Sequence, residues 1–316
     1  MKTEKIDYIT NAFKRLQESE AVDAGGFHVA SMNSCLEQAR QLPPIEPLYP
    51  NIVLEGDLVI FFGQSGVGKT IFAMQVARHI AGKGKRVLYV DFEMTLRQLI
   101  LRYDTTNFPP TFFRAEIDRD APADDVLIGI EEAALANNSE VVFIDNITAL
   151  GQSLDRGSYA GTLMAALNVL KKKYNWTLVL LNHIPKMFSG AVPLSLSAMQ
   201  GSAKINQLVD DAIGLAQSRK DSSLVYVKQC KWRNGEILLN SDNVALFERC
   251  KGDDGNLGFI PRGYGVEGDH LDNGTVGCRE ELKARVRELS EKGMRQVDIA
   301  NQLGITQCKV SRLLNS

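Results

Sequence analysis

The sequence predicts an α/β fold: a mainly parallel, twisted sheet flanked by helices, followed by a small all-α domain. Between about residues 45 and 250, short apolar runs alternate with helical segments, which is the pattern of parallel strands and crossover helices. The first four runs consist almost entirely of β-branched, aromatic and other apolar residues, as expected of strands buried on both faces of a sheet. Helical periodicity returns from residue 278 onward and predicts the all-α domain.

The predicted strands occupy, in chain order, residues 57–62, 86–91, 140–145, 177–182, 211–216, 223–229 and 236–240. Helices fill the gaps between them, as at 69–82 and 158–174. The last strands follow one another closely and end in turn residues. We therefore expect them to form antiparallel hairpins at one edge of the sheet.

Composition limits the class of protein. The 316 residues have a formal net charge of −2, so any contact with nucleic acid must come from a local patch. Five scattered cysteines without a C-x-x-C pair favour reduced thiols in a cytosol over disulfides or a zinc site. The chain also lacks a signal-peptide pattern and an apolar run long enough to cross a bilayer. We expect a soluble, cytoplasmic protein without a membrane partner.

A glycine-rich segment after the first predicted strand has the pattern of a phosphate-binding loop. Residues 63–70 read GQSGVGKT and match G-x-x-x-x-G-K-[ST] in full. Backbone N–H groups of such a loop bind phosphates, its lysine reaches the β- and γ-phosphates, and its threonine binds Mg²⁺. The predicted residues for ATP are Gly63, Gln64, Ser65, Gly66, Val67, Gly68, Lys69 and Thr70, and Thr70 is also a predicted Mg²⁺ ligand.

Polar side chains end three other predicted strands, at the edge where an open α/β sheet binds its ligands. Asp145 is the predicted second Mg²⁺ ligand, and Glu93 is the predicted base that activates the attacking water. His183 is a candidate to contact the γ-phosphate. Each has a structural alternative: Asp145 and Glu93 as helix caps, and His183 as a structural histidine.

Together these motifs resemble the RecA-like ATPase core, in the branch that holds the replicative DnaB helicases, plasmid RepA helicases and KaiC-type ATPases. The resemblance spans residues 45–240 and rests on the phosphate loop, VDFEM, VVFIDNITAL, LNHIPK, GSAKINQLVDDAIGLAQSRKD and KWRNGE. It implies that Glu93 is the catalytic glutamate and Asp145 the Walker B aspartate. His183 falls on a sensor position that is commonly glutamine in the helicases.

The segment KWRNGE resembles the hairpin that gives a lysine and an arginine finger to the ATP of a neighbouring subunit. The resemblance assigns these roles to Lys231 and Arg233, and it implies a homo-oligomeric ring, a hexamer, with single-stranded DNA in its pore. Loops 151–161 and 185–201 would line that pore. The alternative for KWRNGE is an exposed turn with solvated cations.

The end of the chain resembles a helix-turn-helix unit. In MRQVDIANQLGITQCKVSRLLN, Ala300 allows two helices to cross closely and Gly304 permits the turn between them. The residues predicted to face duplex DNA are Gln307, Lys309, Ser311 and Arg312. The alternative is a small helical bundle that docks a protein.

These segments predict four parts: a helical N-terminal arm (1–44), an ATPase core (45–250), a glycine-rich linker (251–277) and a helix-turn-helix domain (278–316). The predicted function is an ATP-hydrolysing ring on DNA, a RepA-like replicative helicase of a plasmid or mobile element. The alternative is an ATP-controlled switch that binds duplex DNA in partition, transposition or regulation, without unwinding.

Overall fold

The computed structural model describes residues 21–24, 27–104, 107–117, 126–150, 157–183, 193–198, 203–251, 256–271, 283, 286–291, 294–303, 310–311 and 314. The chain divides into two compact units, Met1–Glu46 and Pro47–Ser316.

The first unit contains a short antiparallel strand pair and one helix. Strands β1 (Ala21–Ala24) and β2 (Phe27–Ala30) pair in the register Val22–Val29, and helix α1 follows at Met32–Gln41. The predicted helical arm at 1–44 is therefore wrong at β1 and β2, where β-branched residues favour extended backbone. Residues 1–20 of the predicted arm lie outside the described residues.

The second unit is an α/β structure. Its strands are β3 (Pro47–Tyr49), β4 (Val53–Leu54), β5 (Leu58–Gly63), β6 (Val87–Asp91), β7 (Phe112–Glu116), β8 (Val141–Asp145), β9 (Thr177–His183), β10 (Asp211–Gln217), β11 (Leu224–Lys231), β12 (Val244–Lys251) and β13 (Leu257–Gly265). Its helices are α2 (Lys69–Gly82), α3 (Leu96–Tyr103), α4 (Val126–Ala136), α5 (Gly157–Tyr174), α6 (Ala203–Leu208) and α7 (Gln296–Leu303). Short 3₁₀ turns lie at Ile147–Leu150, Leu196–Ala198 and Glu267–His270.

Nine of these strands form one sheet in the order β13-β12-β11-β10-β5-β9-β8-β6-β7. The strands from β10 to β7 in that order are parallel, and β11, β12 and β13 are antiparallel. This confirms the predicted α/β, RecA-like fold with antiparallel strands at one edge. The first four predicted strands and the helix beginning at Lys69 lie within about a residue of their predicted positions.

Strand β5 shows why the sheet is covered on both faces. Its residues are fully buried, and their side chains alternate between two cores, as the period of a strand requires. Ile60 and Phe62 pack in the core that includes α5, whereas Val59 and Phe61 pack in the core that includes α2. Burial of each such side chain contributes about 1.5–3 kcal/mol to folding. The strand that leads into the phosphate loop is thus held on both sides.

The predicted strand at 236–240 is wrong. The Oε1 atom of Gln229 accepts hydrogen bonds from the backbone N–H groups of Leu238 (2.8 Å) and Leu239 (2.9 Å), and the Gln229 N–H donates to the Leu239 carbonyl at 2.8 Å. Because a side chain satisfies these backbone groups, the apolar segment buries Leu239 without a partner strand on that side.

The predicted linker at 251–277 is also wrong where β13 runs. This strand pairs with β12, and Phe259 lies opposite Arg249. The strand contains Pro261 and Gly263, and Gly263 has a φ of +93°. Both residue types are disfavoured in strands except at edges and bulges, so the sequence pattern did not indicate a strand here. Phe259 is buried, but most of the following strand is exposed.

The tail contains a small apolar cluster. Val286, Leu289, Ile299 and Val310 are buried together, and α7 supplies Ile299. Gln307, Lys309 and Arg312, which were predicted to face DNA, lie outside the described residues, and Ser311 follows Val310 in a short helical stretch. The helix-turn-helix remains a prediction. Among the described helices, none has the length and apolar character of a membrane span.

Candidate nucleotide site at the carboxyl edge of the sheet

The turn between β5 and α2 depends on glycine at two positions. Gly66 and Gly68 have φ values of +82° and +101°, in the left-handed region that side chains disfavour. A Cβ on Gly68 would also lie 2.8 Å from the ring of Phe259. The sequence therefore folds here into a tight turn that opens at the N-terminus of α2, where backbone N–H groups favour an anion.

Lys69 is buried beneath this turn. Its ammonium donates to the carbonyl oxygens of Gly63 and Gln64, both at 3.0 Å, and lies 3.1 Å from Nδ1 of His183. Burial lowers the pKa of Lys69 to about 8, although the carboxylates of Asp145 and Glu93 oppose that shift. The negative charge of a phosphate at the turn would favour the protonated form of this lysine and raise its pKa.

The predicted Mg²⁺ ligands meet at the ends of β8 and α2. The Thr70 hydroxyl hydrogen-bonds the Asp145 carboxylate, and the Tyr89 hydroxyl donates to Asp145 Oδ2 at 2.8 Å. Burial raises the pKa of Asp145 to about 6, in spite of these two hydrogen bonds. A hydroxyl and a carboxylate fit Mg²⁺, which binds few protein oxygens and takes its other ligands from water and phosphate. The cap of the following 3₁₀ turn is Asn146, whose Oδ1 accepts the Thr148 N–H at 3.0 Å.

Glu93 lies beside His183 and Asn146. The Asn146 amide donates to Glu93 Oε1 and lies 3.1 Å from Nε2 of His183, which is 3.8 Å from the same Glu93 oxygen. The contact with His183 is the main cause that lowers the pKa of Glu93, and the charges of Lys69 and Arg102 add to it. Half of the Glu93 side chain remains exposed. The helix after Glu93 is capped by Thr95 in a capping box with Gln98, so Glu93 is not its cap.

The contacts of Lys69, His183, Asn146 and Glu93 make one continuous polar chain. It crosses the carboxyl ends of β5, β9, β8 and β6, which place these side chains at one edge of the sheet. Sequence reasoning missed Asn146, although its position directly after Asp145 at a strand end was a readable signal. It also missed Tyr89, whose hydroxyl needs a partner in the core.

The β12–β13 hairpin packs against α2 beside the phosphate loop. Arg249 donates to the Gly66 carbonyl at 3.2 Å, and the Gln75 amide bonds both the N–H (2.7 Å) and the carbonyl (3.0 Å) of Phe259. A cleft of about 320 Å³ lies between α2, the end of α3 and β13, and its lining includes Phe259, Tyr103 and Arg78. Because residues 251–277 were predicted to be a linker, the contribution of β13 to this site was not predicted.

Comparison with known proteins supports a P-loop ATPase core in this part of the chain. Residues 31–187, just under half of the chain, match a family model described as an AAA domain. The chain carries a RecA-like P-loop ATPase core. It is similar to the DNA repair protein RadA of Campylobacter jejuni, with 30% identity over 155 residues, 46% of this chain and 33% of that protein. RadA proteins of Bacillus subtilis and Mycobacterium tuberculosis are 28% identical over 46% of this chain, and over 32% and 30% of their own lengths.

The chain thus spans about a third of the length of the curated relatives that it matches. The family match contains the phosphate loop, Glu93, Asp145 and His183, and it ends before Lys231 and Arg233. Membership of the DnaB, RepA and KaiC branch remains a prediction.

The ATPase core holds Lys231 and Arg233 at the opposite edge of the sheet from its own phosphate loop. Strand β11 is antiparallel to β10, and Lys231 pairs with Ala212, which pairs with Ile60. Ile60 precedes Gly63 by three residues. At 3.3 Å per residue along the strands, Lys231 therefore lies roughly 10 Å from the level of the phosphate loop, toward the amino ends of the parallel strands. The structure therefore does not bring these two cations to the site formed by Lys69 and Glu93.

Both cations have hydrogen-bond partners within this chain. The Arg233 guanidinium pairs with Asp210 at 2.5 Å, and the backbone N–H of Arg233 donates to Asp211 Oδ1 at 2.9 Å. The Lys231 ammonium donates to the carbonyl oxygens of Asn206 (2.9 Å) and Val209 (2.7 Å). About half of the Arg233 side chain is exposed, which leaves it accessible to another molecule.

Proposed function

We propose that the protein is an ATP-hydrolysing ring that acts on DNA, and specifically a RepA-like replicative helicase of a plasmid or mobile element. The observation that carries the proposal is the polar chain from Lys69 through His183 and Asn146 to Glu93, next to the Thr70–Asp145 pair. The similarity to proteins named for DNA repair supports DNA as the partner.

The arrangement suits hydrolysis of ATP. The turn at 63–70 would bind the phosphates, with Lys69 on the β- and γ-oxygens. Thr70 and Asp145 would hold Mg²⁺, which neutralises charge on the phosphates. Glu93 would accept the proton of the attacking water, since its pKa is not raised above the ordinary value and the carboxylate is therefore ionised at neutral pH. Asn146 and His183 would orient its carboxylate.

The nucleoside end of ATP would lie in the cleft beside α2. This cleft shares Phe259 with the phosphate loop, and its aromatic lining gives a base a surface for stacking. Arg78 and Gln75 lie on the same face of α2 and border the cleft.

Assembly would complete the site. Because Lys231 and Arg233 lie at the far edge of their own sheet, a finger role requires the phosphate of a neighbouring subunit. An arginine that reaches the γ-phosphate in trans raises hydrolysis about 10³–10⁵-fold in P-loop enzymes. A head-to-tail contact of this kind closes into a ring when the rotation permits, and we propose a hexamer.

DNA would be bound at two places. The segments 151–161 and 185–201 would line the pore and hold a single strand. Residues 157–161 are the first residues of α5 and not loop, and residues 151–156, 185–192 and 199–201 lie outside the described residues. The segment 279–316 has eight Lys and Arg against five Asp and Glu, a local positive charge that suits duplex DNA through a helix-turn-helix. This tail is also the observation that favours a second function, an ATP-controlled duplex-binding switch without unwinding.

Strand displacement separates the two functions. We expect the protein to separate a forked duplex with Mg²⁺ and ATP, and Lys69→Ala to abolish the activity. Lys172→Ala, which removes an exposed lysine on α5, is the matched control and should remain active. Hydrolysis stimulated by duplex but not by single strands, with no displacement, would instead establish the switch.

A further inference from the structure

Arg114, on the edge strand β7, binds the turn that carries Glu93. Its Nε donates to Asp91 Oδ2 at 2.9 Å, and one terminal nitrogen donates to the Met94 carbonyl at 2.5 Å. The other terminal nitrogen pairs with Glu116 at 2.7 Å. Each of the three nitrogens thus has its own acceptor, and two of these acceptors belong to the segment 91–94.

Asp91 connects the arginine to the backbone on both sides of Glu93. Its Oδ1 accepts the N–H groups of Glu93 (3.0 Å) and Met94 (2.9 Å), and its Oδ2 faces Arg114. The Asp91 side chain is fully buried, so removal of Arg114 would leave a buried carboxylate without its countercharge. That carboxylate would then turn away from its present position, and its hydrogen bonds with the two N–H groups would weaken.

The backbone of the turn at 92–94 depends on this support, because Asn146 and His183 contact only the side chain of Glu93. The Phe92 N–H donates to the Asp145 carbonyl at 2.9 Å, which fixes the beginning of the turn. Beyond that point, the Glu93 side chain is half exposed. The Arg114–Asp91 pair, together with the buried Met94, therefore holds the backbone on the C-terminal side of Glu93.

We propose that Arg114 is a positioning residue for ATP hydrolysis, which holds Glu93 in place through Asp91 and the Met94 carbonyl. The inference rests on the proposed role of Glu93 as the base. A lysine would replace the arginine only in part, because one ammonium on a flexible chain keeps the charge but does not reproduce a rigid fork of donors. A base displaced by about 1 Å loses up to about 100-fold in rate.

The test measures kcat for ATP and the Kd of Mg²⁺-ATP in Arg114→Met, Arg114→Lys and the matched control Arg262→Met. Arg262 is an exposed arginine on β13 that pairs with Glu248. We expect Arg114→Met to lower kcat about 10- to 100-fold with Kd within about twofold of the parent. Guanidinium ions at millimolar concentration should restore part of the rate. Arg114→Lys should fall between Arg114→Met and the parent, and it carries the test if Arg114→Met does not fold.

A parental kcat in Arg114→Met or Arg114→Lys overturns the inference, as does an equal loss in Arg262→Met. A loss of Mg²⁺-ATP binding in parallel with kcat also overturns it, because the arginine would then support the whole site and not Glu93. Failure of the proposed function gives a different result. If the parental protein does not hydrolyse ATP, or if Glu93→Gln hydrolyses it at the parental rate, the proposed role of Glu93 as the base is refuted. This outcome does not depend on the results for the Arg114 variants.

Discussion

Burial changes the ionisation of several carboxyl groups in the ATPase core, and Asp211 shows its cost to stability. Asp211 is fully buried at the start of β10, and burial raises its pKa to about 7, with the nearby Asp57 as a further cause. Its Oδ2 accepts no hydrogen bond from any described donor. A proton on one carboxyl of the Asp57–Asp211 pair makes their contact favourable.

Asp211→Asn should therefore stabilise the protein at alkaline pH. The pKa of Asp211 is about 7 in the folded protein and near 3.8 when unfolded. The contribution of this group to the free energy of unfolding is therefore fully present below about pH 4 and is lost as the pH rises to about 7. An amide keeps an N–H donor toward Asp57 and does not ionise. We expect the free energy of unfolding of the variant to exceed that of the parent by about 1–2 kcal/mol above pH 7, with a difference that shrinks toward pH 4.

Urea unfolding between pH 4 and 9 measures this difference. Asp242→Asn is the control, since Asp242 is exposed in the turn before β12, and it should follow the parental curve. If Asp211→Asn has the parental dependence on pH, the raised pKa of Asp211 does not limit stability.

At the scale of elements, sequence patterns predicted the parallel half of the sheet and missed its edges. Strands buried on both faces, such as β5 and β8, are continuous apolar runs and are easily found. Edge strand β7 is only half-buried, and β13 contains Pro261 and Gly263, so neither has a clear period. The apolar run at 236–240 resembled a strand because the hydrogen bonds of Gln229 are not visible in a sequence.

The same division applies to the site. Lys69, Thr70, Asp145 and Glu93 were predicted because the phosphate loop and the strand ends identify them. Asn146 was missed although it directly follows Asp145 at a strand end, and Arg114 was missed because its importance depends on which strands are neighbours. That order, β9-β8-β6-β7, is a property of the whole sheet and not of any one segment.

The docking of β13 on α2 gives a prediction at this scale. Phe259 is buried against Phe72 and Phe247 at ring-centroid distances of 6.0 and 6.4 Å, and it borders Gly68. Phe259→Ala should lower the free energy of unfolding by about 3–5 kcal/mol and weaken ATP binding, because the phosphate loop loses its wall. Tyr264→Ala, on the same strand but 65% exposed, should change stability by less than about 0.5 kcal/mol.

Chemical denaturation and titration with a fluorescent ATP analogue measure both quantities. Similar stability losses in Phe259→Ala and Tyr264→Ala would mean that β13 does not pack on α2 as described. A large loss of stability with unchanged ATP affinity would separate β13 from the nucleotide site.

At the scale of the whole molecule, one subunit carries the two halves of the proposed reaction on opposite edges of its sheet. Lys69, Asp145 and Glu93 lie at the carboxyl edge, and Arg233 lies at the other, paired with Asp210. Sequence resemblance suggested a finger in trans. The direction of β11 adds the physical reason, since these cations cannot reach the phosphates of their own subunit.

Subunit mixing tests most directly the proposal that hydrolysis occurs between subunits. We expect Arg233→Ala to bind Mg²⁺-ATP with near-parental affinity and to lose hydrolysis by about 10³-fold or more, whereas Lys69→Ala loses hydrolysis because its own loop is defective. In a mixture, an Arg233→Ala subunit supplies an intact loop and a Lys69→Ala subunit supplies an intact finger. The mixture should therefore hydrolyse ATP well above the sum of its two components. Hydrolysis by Arg233→Ala alone at the parental rate, or a mixture no more active than its parts, would contradict a site shared between subunits.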